Sequence, residues 1–304
     1  MKNSVFFKQA ELMLRTISHI SLEKCFALKG GTAINLFLRD LPRLSVDVDL
    51  TYIPIEQREK SLSEINLALD RICKSIAKAM PRAKIQLSYS SNKEISKIFI
   101  REEEVQIKIE PNFVIRGTVF PCVESSLSKK AEDLFGLSVS TPTLSLADLY
   151  GGKICAALDR QHPRDLFDIH ILLKNEGITK GIRKTFLVYL ISHARPMNEL
   201  IDPPRKDLRR IFESEFAGMT SEPVLYEELL SAREELIAVL QKDLTTAERR
   251  FLLSIKEINP QWELLGIDGI EKLPAVQWKL ANLKKMNKKK HGETFIALKR
   301  KLNL

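Results

Sequence analysis

No apolar run in the chain approaches the ~18 residues that a membrane-spanning helix needs. The opening MKNSVFFKQAEL meets Lys8 and Glu11 before any signal-like apolar block can form. The expectation is a soluble, cytoplasmic protein with no membrane partner. Cysteine is equally sparse: Cys25, Cys73, Cys122 and Cys155 stand far apart without a Cys-x-x-Cys pair. That spacing excludes a zinc ribbon and a disulfide framework, and it fits a reducing compartment. With 12 glycines and 13 prolines in 304 residues and no internal repeat, the chain is neither fibrous nor low-complexity. Histidine numbers only five, and although His162 and His170 flank an acidic cluster, two histidines without a cysteine pair make no metal set. They are read as packing or surface residues. Neither Ser45 nor any cysteine stands in a recognisable nucleophile setting with a base, so covalent catalysis is not indicated.

What the chain does have is an ordinary folded composition, 44% hydrophobic and 29% charged, and a length that suggests two domains. The formal charge of +9 is concentrated at the end, because residues 279–304 carry nine lysines or arginines against Glu293 alone. Such a run calls for a polyanionic partner, with nucleic acid ahead of membrane since no strongly apolar face accompanies it. Lys284, Lys285, Lys288, Lys289 and Lys290 are the expected RNA-binding residues. Trp278, Leu280 and Leu283 should pin the start of the run to the body, with Trp262 and Trp278 covering the helical core. The alternative is a frayed tail that only aids solubility.

Hydrophobic spacing predicts a helix over 4–20, a short strand CFAL running into Gly30-Gly31, and a helix over 32–39. The segment SVDVDLTYI alternates strictly, with Val46, Val48 and Leu50 on one face and Ser45, Asp47, Asp49 and Thr51 on the other. A long helix over 57–80 stops at Pro81. AKIQLSYS, ISKIFIRE and VQIKIEPNFV then read as meandering antiparallel strands. In the third, Val105, Ile107 and Ile109 share the buried face, so Glu110 emerges opposite with Gln106 and Lys108. From about Ser145 the β signal disappears and helical spacing takes over. One domain is therefore expected over 1–143 and a helical one over 144–304.

Asp47 and Asp49, two residues apart on one strand face, lie about 6.5–7 Å apart. That distance lets their oxygens close on a hard cation such as Mg²⁺ or Mn²⁺, with Glu110 from a neighbouring strand as the third carboxylate. Gly30 and Gly31, where a strand turns into a helix, form an anion seat from backbone N–H groups, and the Thr32 hydroxyl adds a donor. Each half has a plainer alternative, a tight strand-to-helix connection and a solvated strand face. Lys153, Ala157 and Arg160 fall at i, i+4 and i+7, so both cations share a helix face that could extend over a triphosphate. The same spacing suits a salt bridge to Asp159 or Asp165.

LKGGTAINL followed by RLSVDVDL resembles the opening of the minimal nucleotidyltransferases, the polymerase-beta-like superfamily. The later runs GGKICAALDRQHPRDLFDI and WKLANLKKMNKKKHGETF narrow the resemblance to the AbiEii/AbiGii abortive-infection toxins, from about residue 25 to 296. The resemblance implies an α+β fold, in which a nucleotidyltransferase mixed sheet with flanking helices precedes an all-helical C-terminal domain. It implies a divalent-metal-dependent transfer of a nucleotide from a nucleoside triphosphate (NTP) to RNA, most often tRNA, with release of pyrophosphate and a block of translation. A cognate antitoxin encoded nearby comes with it. Asp47 and Asp49 become the metal ligands, Glu110 takes the third carboxylate position, Lys153 holds the triphosphate, and Asp168 is the acid of the last motif. Gly30, Gly31, Thr32, Ser45, Arg160 and Asp165 complete the nucleotide-binding set. Many superfamily members have Gly-Ser where this chain has Gly31-Thr32, which keeps the hydroxyl but leaves its role open. A non-catalytic RNA-binding module on the same fold, and transfer to a protein side chain, are the alternatives.

Overall fold

Alternating segments rich in Ile and Val frame the first part of the chain as a seven-stranded mixed sheet. Its strands are β1 (Phe26–Lys29), β2 (Asp47–Tyr52), β3 (Lys84–Tyr89), β4 (Ile95–Glu102), β5 (Val105–Asn112), β6 (Val123–Ser126) and β7 (Ser140–Thr143). They lie in the order β3-β4-β5-β2-β1-β7-β6. β1 runs antiparallel to β2 and parallel to β7, while β2 runs parallel to β5. The three-strand meander is as the alternation predicts, with β3, β4 and β5 antiparallel in turn. The computed structural model describes residues 4–304.

Val48, Leu50, Ile98, Ile100, Ile107 and Ile109 are almost wholly buried. Each such side chain contributes roughly 1.5–3 kcal/mol relative to exposure. The Val5–Ile20 helix, capped by the Ser4 hydroxyl on the Phe7 N–H, buries Leu12, Met13, Leu14 and Ile17, and the Arg58–Ala79 helix buries Leu62, Ile65, Leu69 and Ile72.

Two parts of this unit depart from the sequence reading. β6, β7 and the Lys129–Phe135 helix carry no alternation to betray them, since the two strands are four-residue Ser/Thr-rich pieces, one containing Pro142. The helix expected over 32–39 is instead a single α-turn, Gly30–Thr32, followed by a π-helix, Ala33–Leu38. Ala33 through Phe37 are all buried. The Arg39 N–H reaches the Ile34 carbonyl, five residues back, at 2.8 Å.

The chain divides into two compact units, Met1–Ser145 with Gly218–Pro223, and Leu146–Ala217 with Val224–Leu304. A single boundary near residue 143 does not capture the return of 218–223. That segment is held inside the first unit because the Leu44 N–H donates to the Met219 carbonyl (2.9 Å) and the Ser221 N–H to the Pro42 carbonyl (2.8 Å).

The second unit is helical. Its Leu146–Asp159 and Lys180–Ser192 helices approach closely at Gly151, where a Cβ would stand 2.8 Å from Thr185 Cγ2. The basic end is a docked helix, Lys288–Lys301, and no frayed tail. Leu298 and Leu302 are buried, Arg249 donates to the Leu302 carbonyl (2.9 Å), and Lys301 pairs with Asp202. Leu283 is buried as expected, but Trp278 is 42% exposed, whereas the Trp262 ring packs 6.0 Å from Phe251. All four cysteines are free thiols. Among the described residues no helix is long and apolar enough to cross a membrane.

Candidate active site

Strand β1 ends at Lys29, which stands opposite Asp49 in the β1–β2 register. The next residue, Gly30, takes φ +73°, and a Cβ there would lie 2.5 Å from Asp49 Oδ2. Only glycine admits both the left-handed backbone and the carboxylate lying against it. At Gly31 a Cβ would meet Arg43 Nη2 at 2.6 Å and Ser45 Oγ at 3.2 Å, so a guanidinium fills the space over the second glycine. Arg43, 2% exposed, escaped the sequence reading. Its signal was parity, since 43 continues the odd-numbered row of Ser45, Asp47 and Asp49.

Thr32 corrects an expectation. The residue is 1% exposed, and its hydroxyl donates to the Asp47 carbonyl (2.5 Å) and lies 2.9 Å from Ser45 Oγ. That hydroxyl ties the glycine turn to the start of β2 and does not offer itself to a ligand. Gly30→Ala should cost about 1–2 kcal/mol from the left-handed backbone and displace the Asp49 carboxylate. Gly31→Ala carries no such backbone penalty and only shifts Arg43. Urea unfolding of the two variants should rank them in that order.

The register of the parallel β2–β5 pair sets Asp47 beside Lys108 and Asp49 beside Glu110, so all four share the polar face. The three carboxylates thus share a face, but Glu110 also meets two ammonium groups. Glu110 Oε2 lies 2.5 Å from Lys108 Nζ and Oε1 3.1 Å from Lys97 Nζ, and among the described residues no group of three or more His, Cys, Asp or Glu is placed to hold a metal. Burial would raise the Glu110 pKa, but the hydrogen bonds from Lys108 and then Lys97 outweigh it and hold the carboxyl below its usual range. For Lys108, burial is opposed by the Glu110 bond and by the Asp47, Glu110 and Asp49 charges, which together raise its pKa and keep it an ammonium. Asp47 and Asp49, half-buried beside a glycine with no Cβ, fit a divalent cation, and Glu110 beside them faces two ammonium groups.

A second cluster forms within the helical unit. Gln161, at φ +54° and fully buried, makes the turn after the Leu146–Asp159 helix, its side chain bonding the Pro204 carbonyl and accepting from Arg233. His162 then caps the Pro163–Lys174 helix by accepting the Arg164 N–H through Nδ1 (3.1 Å), a structural use in keeping with the refusal of a metal role. This turn folds Asp165 and Asp168 back onto Lys153, whose ammonium lies 2.9 Å from a carboxylate oxygen of each. Arg160 grips Asp165 with two N–H donors, Nε at 2.5 Å and Nη2 at 2.9 Å. Lys153 is 6% exposed and both aspartates 1%. Lys153 and Arg160 do share a face, but what that face meets is Asp165 of the next helix, and no open surface surrounds Lys153. Burial would raise the Asp165 pKa, yet the Lys153 charge and the Arg160 bond overcome it and hold the carboxyl well below the usual range.

Residues 11–282 match the family described as "Nucleotidyl transferase AbiEii toxin, Type IV TA system". The chain belongs to this family. It is a nucleotidyltransferase toxin of a type IV toxin–antitoxin system, which implies an antitoxin partner. Its fold is similar to that of MenT4, a nucleotidyltransferase toxin from Mycobacterium tuberculosis H37Rv, with a TM-score of 0.62 and 16% identity, over 92% of this chain and 93% of that one. No curated protein matches the chain. In this AbiEii toxin the expected site residues fall into two groups: the Gly30–Thr32 turn with Ser45, Asp47, Asp49 and Glu110 in the first unit, and Lys153, Arg160, Asp165 and Asp168 in the second. Lys284, Lys285, Lys288, Lys289 and Lys290 are all solvent-exposed.

Proposed function

We propose that this toxin transfers a nucleotide from an NTP to the 3′ end of an RNA, tRNA first among candidates, and so blocks translation. The observation that carries this reading is the Asp49 carboxylate lying against the Cα of Gly30, which sets the acidic strand face beside a glycine turn whose second residue lies under the Arg43 guanidinium. The N–H groups of that turn bind triphosphate oxygens. Asp47 and Asp49 would hold a divalent ion, Mg²⁺ or Mn²⁺, which when bound supplies positive charge against the triphosphate. One of the two aspartates accepts the proton of the attacking hydroxyl. That oxygen bonds to the α-phosphorus, the α–β bridging bond breaks, and its electron pair leaves with pyrophosphate. In the second unit, Lys153 and Asp168 hold the family's last motif in register, with Asp165 and Arg160 completing a cluster whose charges balance.

Incubation with Mg²⁺, each labelled NTP in turn and total tRNA should label tRNA with at least one nucleotide. Absence of label with all four, from folded protein, overturns the reading, and label on protein in place of RNA moves the acceptor. The exposed lysines from Lys284 to Lys290 would carry the RNA backbone. For a single strand the slope of log K against log salt is roughly −0.7 per phosphate neutralised. Replacing the five lysines by Gln should weaken tRNA binding uniformly across sequences and flatten that slope, as filter binding between 50 and 200 mM salt would register.

A further inference from the structure

Within the proposed nucleotidyltransfer site, Lys108, on the strand next to the aspartate pair, was assigned by neither the sequence reading nor the family match. We propose that Lys108, positioned by Glu110, is the ammonium that receives the phosphates of the incoming NTP beside Asp47 and Asp49, and that Glu110 is a positioning residue and no metal ligand. This rests on the reading of the first unit as the NTP site.

Three observations support it. The β2–β5 register puts Lys108 directly beside Asp47 and Glu110 directly beside Asp49, and neighbouring strands lie about 4.8 Å apart. Lys108 therefore flanks the acidic pair from β5, as Lys29 does from β1. Glu110 is two residues along the same strand face from Lys108, and its two oxygens are divided between Lys108 at 2.5 Å and Lys97, on β4, at 3.1 Å. Each oxygen keeps a second lone pair, but two ammonium charges beside the carboxylate repel a cation and make ligation there unfavourable. Finally, the Lys108 side chain is 31% exposed, against 6% for Lys153, whose ammonium lies between two buried aspartates.

The chemistry is that of a fixed point charge. An ammonium has three donors, so one can go to Glu110 while others reach phosphate oxygens. A lysine held by a carboxylate arrives at the triphosphate already oriented, so less side-chain freedom is lost on binding. The repulsion among Asp47, Asp49 and Glu110 is reduced by Lys108 and Lys97 before any ion or nucleotide enters.

The test measures binding, with Mn²⁺ and a non-hydrolysable α,β-methylene NTP as probes, by electron paramagnetic resonance and calorimetry. Wild type, Asp49→Asn, Glu110→Gln, Lys108→Met and the Lys108→Met/Glu110→Gln double variant are compared after circular dichroism confirms folding. Glu110→Gln is expected to keep Mn²⁺ affinity within about threefold of wild type, whereas Asp49→Asn loses it. Lys108→Met is expected to weaken analogue binding by about tenfold or more, as loss of a charge-assisted bond does. Glu110→Gln is expected to weaken it by less, and to add nothing once Lys108 is Met. Glu110→Asp, which keeps the charge, should restore part of the loss. The inference is overturned if Glu110→Gln loses Mn²⁺ as Asp49→Asn does, or if Lys108→Met binds the analogue like wild type. Wild type that binds neither probe overturns the NTP-site reading as well, which separates the two failures.

Discussion

Asp47→Ala and Asp49→Asn should each lower nucleotide transfer by roughly 10²–10⁴-fold, and expression of either variant should no longer arrest growth. Charge stabilisation at a transferring phosphoryl group is worth several kcal/mol, and each 1.36 kcal/mol is a factor of ten in rate. Both residues are half-buried on the polar face of β2, opposite Val48 and Leu50, so the sheet core does not depend on them. Stability should therefore change by no more than about 1 kcal/mol. Single-turnover transfer to tRNA, run beside urea unfolding of the same variants, checks both halves. Transfer by Asp49→Asn at a wild-type rate would show that the carboxylate against Gly30 is not at the reacting centre.

Lys153→Met should have the largest effect on stability. It removes an ammonium that lies 2.9 Å from a carboxylate oxygen of each of two buried aspartates, Asp165 and Asp168. Breaking a buried pair by removing one partner costs about 3–5 kcal/mol. Lys153→Met combined with Asp168→Asn leaves the Arg160–Asp165 pair balanced and should recover much of that loss, a coupling that only residues in contact display. Recovery of stability without recovery of transfer would give Lys153 or Asp168 a part in the chemistry beyond holding helices together.

The same cluster gives stability a pH dependence. The Asp165 carboxyl is depressed in the fold, so its contribution is fully present above the unfolded value of about 3.9 and is lost as pH falls through the lower, folded value. Acid unfolding of Asp165→Asn, already weakened at neutral pH, should depend less steeply on pH below about 4 than that of wild type.

The three-strand meander was legible because Ile95–Glu102 and Val105–Asn112 alternate, a period set by the strand backbone itself. The Gly30–Asp49 neighbourhood was legible because a glycine pair and a parity-matched aspartate pair, separated by a short connection, leave the chain few ways to arrange them. β6 and β7 were hidden, since four-residue polar strands are stabilised by their neighbours and not by their own pattern. Likewise, the apolar spacing over 32–39 marks a helix but not its π character, since so short a pattern does not tell i→i−5 from i→i−4 hydrogen bonds.

By itself, then, the sequence determined the family through its motifs, and the main helices, the meander and which residues face together through backbone periodicity; β6, β7 and the Lys129–Phe135 helix stayed hidden. Only the tertiary structure decided what each charged group meets. Lys153 finds Asp165 and Asp168, Glu110 finds Lys108 and Lys97, the Thr32 hydroxyl finds the Asp47 carbonyl, and Arg43 fills the space over Gly31. The reason is that a charge acts over the few ångströms separating neighbours in space. Most of those neighbours come from another strand, from the connection before β2 or from the helix beyond a left-handed Gln161, which no local pattern encodes; Lys108, two residues before Glu110 on one strand, is the exception.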